Sequence, residues 1–266
     1  GEQVMAATPG LRYSIVRPSI VESAAHFPFP GWNEGFTTSA PLAYAGIKGQ
    51  RGIPAGDHAI LDIIPVDQVA GATLGITAHA MQVEERRVYN LASGDVNPFL
   101  ASRSVELVGL YRRRYYRNRE TGNSLVNSLR SRIEPQPVSK QEFQLLSAPM
   151  LAKGAKLLKK AMDEVRPAWG APRIQAMMDK ARLALDEVES QAGSLGGLID
   201  LFLPFLWENR YVFRCDNTRS VYERMVPADR AKIGWAPDRI DWREYFLGTH
   251  MPGLEKWVFP GLDEER

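Results

Sequence analysis

Tyr13-Ser14-Ile15-Val16-Arg17-Pro18-Ser19-Ile20-Val21-Glu22-Ser23 is the stretch whose reading decides the fold. Its opening, Tyr13 to Val16, is a short apolar, partly β-branched run, the composition of a strand buried on both faces of a parallel sheet. Pro18 supplies no backbone N–H and fixes φ, so regular pairing is expected to stop there. A strand that ends abruptly at its carboxyl end is where open α/β sheets hold their ligands. Two readings are open on these residues alone: a core strand with a proline-terminated end, or the floor of a ligand site.

Working outward, three further stretches follow: Phe27-Pro28-Phe29-Pro30-Gly31-Trp32-Asn33, Leu61-Asp62-Ile63-Ile64-Pro65-Val66-Asp67 and Val88-Tyr89-Asn90-Leu91-Ala92-Ser93-Gly94. In this order and spacing the four stretches closely resemble the later half of the fatty acyl-CoA reductases, the male-sterility-type extended short-chain dehydrogenases. Near the end, Asn217-Thr218-Arg219 and Ile240-Asp241-Trp242-Arg243-Glu244-Tyr245 look like that family's C-terminal domain; residues 100–205 match only loosely. The family's glycine-rich fingerprint has no counterpart after an apolar strand: the Gly46-to-Gly56 cluster has the wrong context. Tyr-x-x-x-Lys occurs only as Tyr44 to Lys48, after the Arg-Pro-Ser strand rather than before it. A Gly-Glu or Ala-Glu pair follows the family's catalytic lysine, and this sequence opens Gly1-Glu2-Gln3. The expectation is a C-terminal portion cut just past that lysine.

The resemblance implies an α/β fold: the later half of a Rossmann-like parallel sheet over residues 1–98, then a mainly helical C-terminal domain over residues 99–266. It implies an enzyme that uses NADPH to reduce a fatty acyl-CoA, through the aldehyde, to a primary alcohol. The catalytic Tyr and Lys are expected upstream of Gly1, where the residues reading the 2′-phosphate of NADPH would also lie. Pro18, Ser19 and Ile20 map to the backbone lying against the nicotinamide carboxamide. The loop with Pro30, Gly31 and Trp32, together with Arg112, Arg113 and Arg114, would shape the acyl-CoA site. Trp32 reads equally as a rigid substrate-facing wall or a loop anchor in the core. Two other functions stay open: a thioester reductase domain of a carboxylic acid reductase or peptide synthetase, and a non-catalytic lipid-binding module.

Composition narrows the classes. The 266 residues are 44% apolar and 24% charged with a net charge of +2, those of an ordinary soluble protein with no marked electrostatic partner. The single cysteine, Cys215, excludes an internal disulfide and fits a reducing, cytoplasmic compartment. No apolar run reaches the roughly 18 residues that suggest a membrane-spanning helix. His26, His58, His79 and His250 lie far apart without ligand spacing, so no metal is expected. No Gly-x-Ser-x-Gly elbow is present, which disfavours a serine hydrolase.

The remaining elements follow from spacing. Glu2 to Ala7 reads as a helix tail ended by Pro9-Gly10, and a short helix is expected near Thr38 to Ile47. Ile60 to Ile64 reads as a strand broken by Pro65, with Asp67 capping a helix from Gln68 to Met81 that buries Val69, Ala72, Ile76 and Ala80. Val88 to Leu91 is the next strand. Ala101 to Arg119 reads as a helix whose basic end, Arg112 to Arg119, fits coenzyme A phosphates, an anionic lipid surface or a solvated face. One such cluster on a nearly neutral chain is too little for nucleic acid. Residues 120–147 look like a linker, and helices are expected over Pro149 to Val165 and Pro172 to Val188. Leu198 to Trp207 has three open readings, led by a core helix because short apolar runs usually are core; the others are an acyl-chain wall and a peripheral membrane contact. Tyr211 to Arg214 reads as extended, Asp216 as the cap of a helix from Thr218 to Met225, and Asp241 with Glu244 as a capping box.

Overall fold

In the computed structural model, residues 1–48, 50–83, 87–118, 131–132, 134–145, 202–208 and 210–264 are described. The helices expected over 149–165 and 172–188 lie outside them. Helix α1, Glu2–Ala7, stops before Pro9-Gly10 as its sequence predicts, with Gly10 at φ +73°. Strand β1, Ile15–Pro18, starts two residues later than the apolar run and pairs in parallel with β5, Val88–Leu91, in the register Ile15–Val88. Pairing does not stop at Pro18. The N–H of Ser19 donates to Leu91 O, that of Ile20 donates to Asp62 O, and β2, Ile20–Glu22, continues in parallel with β4, Ile63–Pro65. The strand therefore changes partner at Ser19, and Pro18 falls where a missing donor is tolerated.

The burial of β1 also differs from expectation. Ile15 and Val16 are half-buried, while Arg17 and Pro18 are exposed. Among the described residues β1 has one neighbouring strand, and Arg17 forms an ion pair with Glu2 at the surface. A third parallel pair joins β3, Gly52–Pro54, to β6, Gln136–Val138. The latter lies inside the expected linker, followed at once by helix α5, Lys140–Leu145.

Helix α2 spans Ala40–Lys48, α3 spans Val66–Gln82 and α4 spans Ala101–Arg117. In α3, Ala72 and Ile76 are buried and Val69 packs beside them, the face that helical spacing predicts. Helices α6, Asp216–Arg224, and α7, Pro227–Ile233, lie against α3. A Cβ on Gly71 would sit 2.1 Å from Ile233 O, so glycine there lets α7 approach the α3 backbone. Asp216 is not a cap: the helix begins at Asp216 itself, and its carboxylate pairs with Arg214 and Arg219. Asp241 does cap: Oδ1 accepts from Glu244 N at 2.9 Å, starting α8, Trp242–Glu244. This runs through a wide turn, Tyr245–His250, into α9, Met251–Trp257, and α10, Phe259–Glu264.

Two apolar clusters hold these pieces together. The larger joins Tyr44 and Ile47 of α2, Ile53 of β3 and Leu107 of α4 to Tyr245, Phe246, Met251 and Leu254. Residues on both sides of position 98 therefore share one core. The smaller packs Ile64, Ile76, Tyr89 and Leu91 against Cys215, Val221 and Trp235.

Candidate functional site

The partner change at Ser19 opens a cavity of about 180 Å³ at the carboxyl end of β1. Pro18, Ser19 and Ile20 form one wall, Ile60, Leu61 and Asp62 a second, and Phe205, Tyr211 and Phe213 a third. The third wall is pinned by Asp62, a buried carboxylate from the Leu61-to-Asp67 stretch. Its Oδ1 accepts from Ser93 N and Gly94 N, both at 2.9 Å, and Oδ2 from Phe213 N at 3.3 Å. One carboxylate thus ties the ends of β4 and β5 to a segment from the far end of the sequence. Tyr211 to Arg214 forms no strand. It is positioned by that bond and by Cys215 N donating to Asp95 Oδ2 at 2.9 Å.

The hydroxyl Oγ of Ser19 is buried and has no hydrogen-bond partner among the described residues. A buried hydroxyl left unpaired costs free energy; Ser14 Oγ, Asp95 Oδ1 and Trp235 Nε1 are in the same state away from this cavity. A carboxamide, which both donates and accepts, fits Ser19 Oγ chemically. The N–H groups of Ser19 and Ile20 are already spent on Leu91 O and Asp62 O. The side chain of Ser19, rather than the local amides, is what this wall offers.

Beyond β2 lies a second constellation that sequence reasoning missed. His250 is 0% exposed and bridges two serines, Nδ1 to Ser23 Oγ at 2.9 Å and Nε2 to Ser39 Oγ at 3.0 Å. Its ring stacks on Tyr245, 5.8 Å between centroids and 14° from parallel. Glu22, 3% exposed, accepts from Thr38 Oγ1 at 3.0 Å and Ser39 N at 3.1 Å, and its Oε2 lies 3.8 Å from His250 Nε2. Burial penalises both charges. It pushes the Glu22 carboxyl up to about 7 and the His250 imidazole down to about 3. Burial, with the nearby Glu22 and Asp67 carboxyls, also raises the Tyr245 phenol. No local pattern pointed here, because Ser23 and His250 are 227 residues apart.

Asp67 belongs to the same region and does not do what spacing predicts. The helix begins at Val66 behind Pro65, with no side-chain cap. The carboxylate instead accepts from the N–H groups of Ala25, His26 and Phe27 at 2.9, 2.8 and 3.2 Å, gripping the loop that follows β2. In that loop Pro30 is exposed and Trp32 is half-buried, bonded through its backbone to Ala24 and Phe29. Gly31, at φ +82°, meets the turn before α9 and α9 itself so closely that a Cβ would lie 2.8 Å from Thr249 O and 3.0 Å from Gly253 Cα. A Cβ on Gly253 would in turn lie 2.1 Å from Gly31 O.

The arginine triplet is split between three tasks, because successive helical residues face different ways. Arg112 is 2% exposed, donates from Nε to Ile47 O at 2.9 Å and lies over the Tyr116 ring; it satisfies the carbonyl end of α2. Arg113 pairs with Glu134. Arg114 is exposed and lines a cavity of about 450 Å³ with Tyr111, Tyr115, Asn118 and Glu255. Among the described residues no group of His, Cys, Asp and Glu could hold a metal, and no helix is long and apolar enough to cross a membrane.

Comparison with known proteins agrees with the resemblance read from the motifs. Residues 1–73 match the family model described as male sterility protein, an NAD-binding family. The chain is 28% identical to fatty acyl-CoA reductase 2, chloroplastic, of Arabidopsis thaliana, with 98% of the chain and 41% of that protein aligned. It is 29% identical to the alcohol-forming fatty acyl-CoA reductase of Simmondsia chinensis, with 97% of the chain and 50% of that protein aligned. It is 25% identical to fatty acyl-CoA reductase 1 of Homo sapiens, with 96% of the chain and 44% of that protein aligned. The chain thus spans half or less of the length of these curated relatives.

Proposed function

We propose that this chain is part of a fatty acyl-CoA reductase, using NADPH to convert an acyl-CoA through the aldehyde to the primary alcohol. Alignment of nearly the whole chain with relatives bearing that name supports the chemistry, and neither the thioester reductase domain nor the lipid-binding module is favoured. The observation that carries the placement is the cavity at the end of β1, walled by Pro18, Ser19 and Ile20. Residues 1–98 supply the later part of the dinucleotide-binding domain and residues 99–266 a mainly helical C-terminal domain.

NADPH supplies the hydride when bound. Ser19 receives the nicotinamide carboxamide beside Pro18 and Ile20, fixing which ring face is turned toward the substrate. Phe205, Tyr211 and Phe213 give that end of the cavity a half-exposed aromatic wall. The loop with Pro30, Gly31 and Trp32 walls the thioester side, and Arg114 meets the phosphates of coenzyme A. No proton donor is assigned among these residues, since their one Tyr-x-x-x-Lys, Tyr44 to Lys48, follows the Arg-Pro-Ser strand. The proposed setting is cytoplasmic, with a peripheral membrane contact near the half-exposed Phe205.

The test is turnover of palmitoyl-CoA by the full-length gene product, with NADPH and NADH compared and the product identified by mass spectrometry. Ser19→Ala should raise KM for NADPH by about three- to tenfold, the worth of one neutral hydrogen bond. KM for palmitoyl-CoA should be nearly unchanged. No thioester reduction with either nucleotide would refute the assignment.

A further inference from the structure

We infer that His250 is a positioning residue: by holding Ser23 and Ser39 with its two ring nitrogens it clamps both ends of loop 24–38, so that the C-terminal segment sets the shape of the acyl site. The inference rests on the proposed function for what the loop does, and on geometry alone for the clamp.

Ser23 follows β2 directly and Ser39 precedes α2 directly, so the imidazole joins the points where the loop leaves and rejoins the regular framework. A neutral imidazole has one donor and one acceptor nitrogen. Asn33 Nδ2 donates to Ser23 Oγ at 2.9 Å, leaving the Ser23 proton to point at Nδ1. Nε2–H then donates to Ser39 Oγ, with the Glu22 carboxyl beyond it at 3.8 Å. Both nitrogens are thereby used, and nothing in the ring is left for a substrate. With the ring fully buried, His250 can act on a substrate only through the loop.

The same C-terminal segment meets the loop at three other points. Tyr245 OH donates to Ser23 O at 2.6 Å at its base. Gly253 abuts Gly31 in its middle, and Trp257 packs against Phe29 at 5.4 Å between centroids. Asp67 holds residues 25–27 separately, from α3. The loop is therefore fixed from three sides, by the C-terminal segment, by Asp67 and by Glu22, which accepts from Thr38 Oγ1 and Ser39 N; loss of His250 should weaken the first and spare the other two.

The test uses the full-length enzyme and its His250→Ala, His250→Gln and Ser39→Ala variants. His250→Ala should raise KM for palmitoyl-CoA about tenfold, as a misplaced substrate-positioning wall does, with KM for NADPH within about twofold. Hydrogen exchange should quicken at the amides of Gly31 and Trp32, which are bonded only within the loop, while those of Ala25 to Phe27 stay protected by Asp67 and that of Ser39 by Glu22. Gln, which can both donate and accept, should restore most of the loss, and Ser39→Ala, which cuts half the clamp, should show a smaller change of the same kind. Equal effects on both KM values, or unchanged exchange in the loop, would overturn the inference. If the wild-type enzyme reduced no acyl-CoA, the functional reading would fall, while the exchange pattern would still decide the clamp. If His250→Ala did not fold, Ser39→Ala and His250→Gln would decide it.

Discussion

Glu22 and His250 bring two buried titratable groups to one place, and their opposite displacements fix a pH signature. The carboxyl is raised from an ordinary 4.5 to about 7 in the folded protein, and the imidazole is lowered from 6.5 to about 3. Between pH 3 and 4.5 the unfolded chain binds a proton at His250 that the folded one does not, so stability rises with pH. Between 4.5 and 6.5 the folded chain holds the proton on Glu22 while the unfolded chain holds one on His250, and the two effects cancel. From 6.5 to about 7 only the Glu22 effect remains, and stability falls as pH rises. Glu22→Gln removes that component, so stability should rise without interruption from pH 3 to 6.5 and then level off. The difference between wild type and variant should shrink or reverse by roughly 3 kcal/mol from pH 4.5 to 7, at about 1.4 kcal/mol for each unit of displacement. Thermal unfolding of both proteins across that range measures it, and parallel curves would mean that Glu22 does not hold its proton when folded.

Helix α4 shows how one element can carry opposite roles in adjacent residues. Arg112 fills the carbonyl end of α2 from within the core, whereas Arg114 faces solvent. Arg112→Ala should therefore cost about 2–3 kcal/mol, since it removes a charged hydrogen bond and leaves a buried carbonyl with less compensation. Arg114→Ala should change stability by no more than about 0.5 kcal/mol. In the full-length enzyme Arg114→Ala should raise KM for palmitoyl-CoA and leave that for the free aldehyde unchanged, because the aldehyde has no phosphates; equal effects on both would refute phosphate binding. Periodicity made α3, α4 and β5 legible, since their signals lie within a few turns of chain. It did not reveal β6, because Pro135-Gln136-Pro137 reads as linker chemistry although an edge strand tolerates proline. Nor did it separate a cap from a tether at Asp67 or Asp216, where a shift of one or two residues in the helix start changes the task. A break at Pro18 was legible, though as a stop in pairing rather than the change of partner found there; the unpaired Ser19 hydroxyl and the His250 bridge depend on long-range packing that no local pattern encodes.

At the scale of the whole chain, one core joins residues 40–63 to 245–259, and the dinucleotide site proposed for this chain is partial. The cavity at Ser19 is about 180 Å³, enough for one small ring. Among the described residues no glycine-rich fingerprint follows a strand, so none of them supplies the helix-N-terminus cradle that holds a pyrophosphate. One carboxamide hydrogen bond contributes about 1 kcal/mol, and ring burial adds a few more. Association itself costs on the order of 4–15 kcal/mol in lost translational and rotational freedom. The cost wins. A protein consisting of residues 1–266 alone should therefore show no measurable heat on calorimetric titration with NADPH at millimolar concentration, and no NADPH oxidation when palmitoyl-CoA is added. Supplying the same residues within a longer chain that carries the fingerprint and Tyr-x-x-x-Lys should restore both. Saturable binding or turnover by residues 1–266 on their own would show that a second phosphate-binding surface exists within this sequence, and the placement of the cofactor at Ser19 would have to be rebuilt around it.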